Sequence, residues 1–163
     1  MLDRPTEFIF DGSAPWSTAH ALSVATDKGI TLEDLSATID ALEEAIKPAP
    51  RQWVGDRLTA LFALFSINRN APDAKDLAIW LTETAALLSD IPHDILADAI
   101  DTAIKTRTHG FMPSVGEIRT IADPVTQQRG NLLFRAALVG AEMAKRENEA
   151  AARAMPSNVE HKL

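Results

Sequence analysis

The sequence predicts an all-α fold, a small multi-helix bundle with an N-terminal acidic helix pair and an extended C-terminal helix. Apolar residues recur at spacings of three and four in six or seven stretches, and no stretch shows the alternation of a β-strand. Most prolines and several glycines, such as Gly29 and Gly110, fall between these stretches, where they end helices. Apolar residues make up 46% of the chain and charged residues 24%, which is the composition of a folded domain. From the number of amphipathic stretches we expect more than about half of the chain to be helical.

The order of helices and breaks predicts five segments. They are an irregular N-terminal segment at 1–14, N-terminal helices at 15–47, a core helical bundle at 51–122, a C-terminal helix at 123–155 and a disordered tail at 156–163. The core is placed in the middle because three consecutive amphipathic helices follow one another there with short turns between them. The candidate linker before it is Lys47-Pro48-Ala49-Pro50, since neither proline can continue a helix.

Helix-ending residues define the N-terminal pair. The first helix is predicted over 15–27, with Ser13 as its cap and Gly29 as its stop. Thr31 and Asp34 form a variant of the capping box that opens the second helix. A narrow apolar seam follows, made of Leu32, Leu35, Ile39, Leu42 and Ile46. The seam is short, so it indicates one face of a bundle helix and not a self-standing coiled coil.

The C-terminal part contains two further helix starts. Ser114 and Glu117 form a full capping box, which predicts a short helix ending near Ala122. Asp123-Pro124 then predicts a new N-terminus for the last helix, because proline suits a first turn. The middle of that helix is rich in alanine and poor in large apolar residues, so we expect it to extend away from the core.

Composition and charge exclude several classes of function. Cysteine is absent, which removes disulfides, a thiolate nucleophile and sulfur-based zinc sites. This absence, an acidic N-terminus and the lack of an apolar run of about 18 residues favour the cytoplasm and no membrane partner. Residues 1–50 carry 9 of the 23 acids against 3 bases, and this surface would repel phosphates. Direct binding of nucleic acid is therefore expected to be weak or absent.

No constellation of residues indicates catalysis. The pair His93-Asp94 resembles the metal-binding dipeptide of HD-type phosphohydrolases, with His20 and Asp98 as the only further candidate ligands. In the plainer interpretation, Asp94 stabilises a first helical turn and forms a solvated face with Asp98 and Asp101. Motifs for nucleotide hydrolysis and acyl transfer are absent. We expect no enzyme, with no catalytic, cofactor-binding or metal-binding residues and no cofactor.

Two surfaces are candidates for binding. A basic cluster consists of Lys105, Arg107, His109 and Arg119. Either Lys105 and Arg107 complement the negative end of their helix, or the cluster forms a patch for nucleic acid or an acidic partner. On the last helix, an apolar stripe without obvious neighbours inside the chain suggests an external protein partner. The stripe consists of Leu132, Phe134, Leu138 and Met143, and Arg135 is a further candidate for contact with the partner. Association of the chain with itself also stays open.

The stretch from Trp80 to Ile121 has a recognisable order: a tryptophan-bearing helix, a proline turn, an apolar helix and Phe-Met-Pro-Ser-Val-Gly-Glu-Ile-Arg. It resembles the small helicase loader and inhibitor proteins of bacteriophages. The matching positions are Trp80, Pro92, Phe111, Pro113, Ser114, Glu117 and Ile118. The resemblance implies a helical bundle that binds the replicative helicase or its initiator during phage DNA replication, has no chemistry of its own, and contacts its partner through its C-terminal part.

Three hypotheses for the function follow. The first is a phage or prophage replication adaptor that binds the replicative helicase or initiator. The second is a stoichiometric acidic inhibitor of a host defence or nucleic-acid-processing complex, an anti-CRISPR-like protein whose N-terminal acids imitate phosphate. The third is an HD-type metal-dependent phosphohydrolase that uses His93 and Asp94.

Overall fold

The computed structural model describes residues 16–66, 74–106 and 112–154. Helices make up 85% of these residues, and no strand occurs among them, which confirms the predicted all-α fold. The helices of the described ranges are α1 (Thr18–Asp27), α2 (Leu32–Ala45), α3 (Arg51–Ser66), α4 (Ala74–Leu87), α5 (His93–Thr106) and α6 (Val115–Ala154).

The described chain forms two compact units. Residues 43–130 make up the first, which we name the central unit. Residues 16–42 and the second half of α6, from residue 131, make up the other, which we name the terminal unit. The sequence analysis had placed 15–47 and 123–155 in separate segments, whereas the structure groups most of their residues together.

The core of the central unit comes from α3, α5, the end of α4 and the start of α6. Helix α5 contributes most, because its apolar residues recur at spacings of one, three and four and so share one face. These buried residues are Ile95, Leu96, Ala99, Ile100 and Ala103. Opposite them lie Val54, Leu58, Leu61, Leu88, Ile118 and Ala122, all buried.

The proline-rich segment predicted as a linker does end α2, but it is packed against the central unit. The amide of Ala49 donates a hydrogen bond to the carbonyl of Ile91 at 3.0 Å, and Pro48 forms an isolated bridge with Pro92. Ala49 and Pro92 are buried. The prolines cannot extend the helix, and their apolar rings and the remaining amide fix the segment on the turn before α5.

Both predicted capping boxes are present. In the first, the Thr31 amide donates to Asp34 Oδ2 at 2.9 Å and the Asp34 amide donates to Thr31 Oγ1 at 3.1 Å. In the second, the Ser114 amide donates to Glu117 Oε2 at 2.7 Å and the Glu117 amide donates to Ser114 Oγ at 3.2 Å. Each box satisfies two amides that a helix start leaves without partners.

The start of α1 differs from the prediction. Its cap is Ser17, whose Oγ accepts a hydrogen bond from the amide of His20 at 3.2 Å. The predicted cap, Ser13, lies outside the described residues, as does the predicted irregular segment at 1–14. Gly29 ends this region as expected, because its φ of 67° lies in the left-handed range that favours glycine.

Helix α6 corrects the prediction of two helices after Ser114. It continues without a break from Val115 to Ala154, with Pro124 inside it. The missing proline N–H and the ring clash cost roughly 3 kcal/mol in a helix interior. Burial on both sides of the proline offsets this cost, because Ile118 and Ala122 before it and Ala136 and Val139 after it are all at most 1% exposed. Tertiary packing therefore overrides the local break signal.

The terminal unit explains the alanine-rich half of α6. Small residues on this half, Ala136, Val139 and Gly140, face α1 and α2, and a Cβ atom added at Gly140 would lie 3.3 Å from Ile39 Cδ1. Their partners in the core are Ala21, Leu22, Ala25, Leu35 and Leu42. The C-terminal helix is long, as predicted. Its small residues let the second half pack closely against α1 and α2, which the sequence did not predict.

Candidate functional site

The structure divides the predicted apolar stripe of α6 between two faces. Leu132 and Met143 are half-buried and pack against the core of the terminal unit. Phe134 is 64% exposed and Leu138 is 36% exposed. Each helical residue turns by about 100°, so Phe134 and Leu138 share a face that points nearly opposite to the buried Ala136. Contrary to the prediction, Leu132 and Met143 therefore have neighbours inside the chain, and these come from residues 16–42.

The exposed face of α6 is apolar over two turns. Ala137 and Ala141 are exposed beside Phe134 and Leu138, so these four residues follow the i, i+3, i+4, i+7 pattern. We name them the exposed α6 stripe. Polar exposed residues, Asn131 before it and Lys145 after it, limit its length. A helix with such anchors can lie in an apolar groove of a partner, or can itself receive an apolar segment.

Arg135 lies at one edge of the exposed α6 stripe and contacts Trp16. Its guanidinium carbon is 5.3 Å from the centroid of the Trp16 ring, the geometry of a cation–π contact. The Trp16 Nε1 atom is buried, and no described residue accepts a hydrogen bond from it. Buried tryptophan N–H groups normally have an acceptor. The site therefore combines an apolar face, a cation and an unsatisfied donor at its edge.

The predicted basic cluster is not assembled by the described residues. Arg119 donates two hydrogen bonds to the Asp90 carboxylate, both at 2.8 Å, and one to the Leu87 carbonyl at 2.6 Å. These bonds lower the pKa of Asp90 and raise the pKa of Arg119. Asp123 adds a second carboxylate at 3.3 Å. Lys105 is exposed in the last turn of α5, and Arg107 and His109 lie outside the described residues. Arg119 thus holds α6 against the turn after α4.

The HD-type candidates are engaged in packing and ion pairing. The His93 ring lies edge-on to Trp53, with centroids 4.2 Å apart. Both oxygens of Asp94 accept hydrogen bonds from Arg129, at 2.8 and 2.6 Å. The bonds from Arg129 lower the pKa of Asp94, and burial opposes this shift only in part. His20 belongs to the terminal unit, and among the described ranges no group of three or more potential metal ligands occurs.

Arg129 is a structural residue that the sequence analysis missed. Its guanidinium also donates to the carbonyl of Ala45, at 2.7 Å, so one side chain joins α6 to the end of α2 and the start of α5. Pairing with Asp94 raises its pKa. Its partners lie 84 and 35 positions away in the chain, and no spacing rule within a helix could have found them.

The acidic face predicted on α5 is solvated only in part. Asp98 is exposed, as expected. Asp101 instead forms an ion pair with Arg57 of α3, and Asp94 is paired with Arg129. Carboxylates on α2 are more open: Glu33, Asp40 and Glu44 lie on one exposed side of that helix, where only Glu44 has an ion-pair partner among the described residues, Lys47.

A cleft of about 280 Å³ lies in the central unit where α3 begins and α4 ends. Its walls are mainly Ala49, Val54, Ala85 and Ala86, with Arg51 as the charged side chain. Thr82 and Ser89 complete the lining, which contains no carboxylate and no histidine.

The described fold is that of an all-α protein made of two compact helical units. No family model matches the chain. A search of curated proteins and a search of solved structures found no match either. Within the described residues, no helix has the length and apolar character that crossing a membrane requires.

Proposed function

We propose that this protein is a non-catalytic adaptor that binds the replicative helicase or its initiator during phage DNA replication, and that the exposed α6 stripe contacts this partner. The resemblance over residues 80–121 supports the choice of partner class. The observation that carries the proposed surface is the 64% exposure of Phe134 on a helix whose opposite face is buried.

The residues that carry the family resemblance hold the fold, so they leave the contact to other positions. Trp80 packs against Phe62, with ring centroids 6.0 Å apart, and Ile118 is 1% exposed. Ser114 and Glu117 form the capping box of α6, and Phe111 lies outside the described residues. The implied role of the C-terminal part in partner contact agrees with an exposed apolar face on α6.

Energetics favour Phe134 as the anchor of this contact. Full burial of a phenylalanine or leucine side chain stabilises a complex by roughly 1.5–3 kcal/mol. Aromatic residues at the centre of an interface often dominate the binding energy. Phe134 and Leu138 together therefore supply enough apolar area to change an affinity by more than tenfold, since about 1.4 kcal/mol corresponds to a factor of ten.

The test measures binding of the intact chain to a panel of purified bacterial replicative helicases and initiators, by pull-down and by interferometry. The variant Phe134→Ser/Leu138→Ser should keep its helical circular dichroism and lose at least about tenfold in affinity. The matched control is Val125→Ser, which removes another exposed apolar residue, 44% exposed, from the same helix. Absence of binding by the intact chain contradicts the adaptor, and equal binding by the double variant contradicts the surface.

A second candidate is the phosphate-mimicking inhibitor, which the open carboxylates of α2 favour. The variant Glu33→Gln/Asp40→Asn/Glu44→Gln removes these charges without changing side-chain shape. If the protein is such an inhibitor, this variant should lose the ability to displace DNA from a nucleic-acid-processing complex, while Phe134→Ser/Leu138→Ser should keep it. If instead the carboxylate variant keeps this ability and Phe134→Ser/Leu138→Ser loses it, the adaptor is favoured.

A further inference from the structure

We propose that the exposed α6 stripe pairs with the same stripe of a second copy of this chain, and that the two α6 helices run antiparallel in this dimer. Arg135 of each copy then pairs with Glu142 of the other. The dimer does not rest on the proposed function. A helicase that binds the same stripe has to displace the second copy, so the dimer and the helicase complex exclude each other.

The stripe has the spacing of a coiled-coil seam. Phe134, Leu138 and Ala141 are separated by four and then three residues, the alternation that keeps apolar side chains facing a second helix. Ala136 and Val139, on other sides of α6, are buried in the core of the terminal unit. The seam is therefore the side of this helix half that a second helix can reach.

The two charged residues beside the seam favour antiparallel order. Arg135 and Glu142 are seven residues apart, so their side chains point within about 20° of each other and lie on one flank. In a two-fold antiparallel pair, like flanks of the two copies meet, because the symmetry axis is perpendicular to both helices. In a parallel pair, this flank meets the other one, which carries Ala137 and Ala144 and no charge. Only the antiparallel order brings the opposite charges together.

The charges also define a register in which the stripe packs well. When Arg135 is level with Glu142 of the second copy, Leu138 lies about 3 Å along the axis from both Ala137 and Ala141 of that copy. Leu138 thus enters a gap between two small residues. This is the knobs-into-holes packing of coiled coils.

Phe134 has a matching gap in the same register. It lies between Ala141 and Lys145 of the second copy, about 3 Å along the axis from each. The methylene groups of a lysine cover apolar surface while its ammonium group stays in water. The register that pairs the charges therefore also covers both large side chains of the stripe.

Arg135 and Glu142 both have capacity for this ion pair. Arg135 contacts the Trp16 ring and has no carboxylate partner among the described residues. Glu142 accepts a hydrogen bond from Arg146 at 3.5 Å and lies 3.9 Å from the ammonium group of Lys145. Both distances are long, and a carboxylate has about four acceptor sites. Glu142 can thus accept Arg135 of a second copy without giving up its neighbours.

The size of the contact sets the expected strength of the dimer. The stripe covers about two helical turns, which is less than the roughly 800 Å² per partner that stable complexes bury. We therefore expect a weak, reversible dimer, with a dissociation constant of the order of 10–100 µM.

Charge reversal tests the pairing directly. In sedimentation equilibrium, the average mass of the intact chain should rise toward that of two chains as its concentration increases from about 10 µM to about 1 mM. Arg135→Glu and Glu142→Arg should each weaken the dimer at least about tenfold, because each places like charges opposite each other twice. An equimolar mixture of the two variants should dimerise again, because both contacts then join opposite charges. Phe134→Ser/Leu138→Ser should stay monomeric, whereas the control Val125→Ser should dimerise like the wild type.

Disulfide formation tests the orientation, since the chain has no other cysteine. In the proposed register, residue 131 lies within about 2 Å along the axis of residue 145 in the second copy, whereas two residues 145 are about 20 Å apart. Mild oxidation of mixed Asn131→Cys and Lys145→Cys chains should therefore give a disulfide between the two variants. Each variant alone should give little.

Three results would overturn the proposal. They are a wild-type chain that stays monomeric at about 1 mM, a mixture of charge variants that dimerises no better than either alone, and efficient disulfide formation by Lys145→Cys alone, which indicates parallel helices. Circular dichroism of each variant checks that the helices are intact. None of these measurements uses a helicase, so the proposed function can fail while the dimer stands, and the reverse.

Discussion

Both units consist of helices, but they differ in which parts of the chain they join and in the size of their core residues. The central unit takes helices that follow one another in the chain and fills its core with large residues such as Leu58, Leu96 and Ile100. The terminal unit joins residues 16–42 to residues 131–154 and packs them through Ala136, Val139 and Gly140. A core made of consecutive helices can be predicted from sequence periodicity. A core that joins distant segments through small residues cannot.

The two units also differ in their polar contacts. In the central unit, Arg119 and Arg129 each bind a carboxylate with two hydrogen bonds and also bind a backbone carbonyl. Such bidentate pairs fix the register of helices as well as their proximity. In the terminal unit, Arg135 contacts the Trp16 ring. Among the described residues of the terminal unit, Arg135 thus has an aromatic neighbour and no carboxylate partner.

Deletion of residues 131–163 should produce the largest difference in stability between the two units. The deletion takes away the α6 half of the terminal core but leaves every buried residue of the central core in place. We expect the truncated chain to unfold cooperatively, while amides of residues 16–42 lose their protection against hydrogen exchange. Exchange measured by mass spectrometry tests both parts. Loss of protection in α5 as well would show that the central unit depends on the terminal one.

Two separate substitutions at glycines of α6 should have the next largest effect on stability. Gly140→Val forces a branched side chain against Ile39, and we expect it to lower the free energy of unfolding by about 1–3 kcal/mol. A Cβ atom added at Gly130 has no other atom within 4 Å. Gly130→Ala should therefore raise the free energy of unfolding by about 0.5–1 kcal/mol, because alanine is the better helix former. Urea titration followed by circular dichroism measures both. Equal tolerance at the two positions would contradict the close packing at Gly140.

The variant Arg129→Met should lower the free energy of unfolding by about 1–2 kcal/mol near neutral pH, because it removes charged hydrogen bonds to the partly exposed Asp94. The folded-state pKa of Asp94 is depressed below its ordinary value of 3.8. The stability from this pair is therefore present above that value and is lost as the pH falls through the depressed pKa.

The difference between wild type and Arg129→Met should accordingly narrow below pH 3.8. Thermal unfolding at a series of pH values provides the measurement, with Lys145→Met as an exposed-cation control. A difference that stays constant down to strongly acidic pH would assign the cost to the hydrogen bond with the Ala45 carbonyl and to the packing of the Arg129 stem, and not to the pair with Asp94.

The smallest effects concern the two capping boxes. Ser114→Ala and Thr31→Ala should each cost about 1 kcal/mol through the loss of a side-chain acceptor at a helix start. Exchange rates should rise in the central unit for Ser114→Ala and in the terminal unit for Thr31→Ala. Ser114→Thr and Thr31→Ser keep the acceptor and serve as controls, so a loss of equal size in them would mean that capping is not the cause.

Local sequence signals were sufficient to predict the starts and ends of most helices and the central core. The boxes at Thr31 and Ser114 and the stop at Gly29 depend on residues within one turn of each other, so sequence spacing defines them. The helix start predicted at Pro124 is wrong, because burial on both sides outweighs the local preference of the proline. The contacts of Arg129 could not be predicted from sequence spacing, because its partners are distant in the chain.

The candidate site was predicted only in part. The sequence identified Phe134 and Leu138 as apolar residues on a helical stripe, and it included Leu132 and Met143 on the same grounds. Periodicity describes which residues share a face but not what covers that face. The packing of residues 16–42 separates the covered pair from the exposed pair.

By itself, the sequence determined an all-α chain, the two capping boxes, the breaks at Gly29 and Pro48 and the core of three consecutive helices, because these follow from interactions between near neighbours. Tertiary structure alone decided that α6 is one helix through Pro124, that Arg119 and Arg129 are structural, and that Phe134 and Leu138 remain exposed. Each of these depends on residues separated by tens of positions, and free energy gained across such distances can outweigh any local preference.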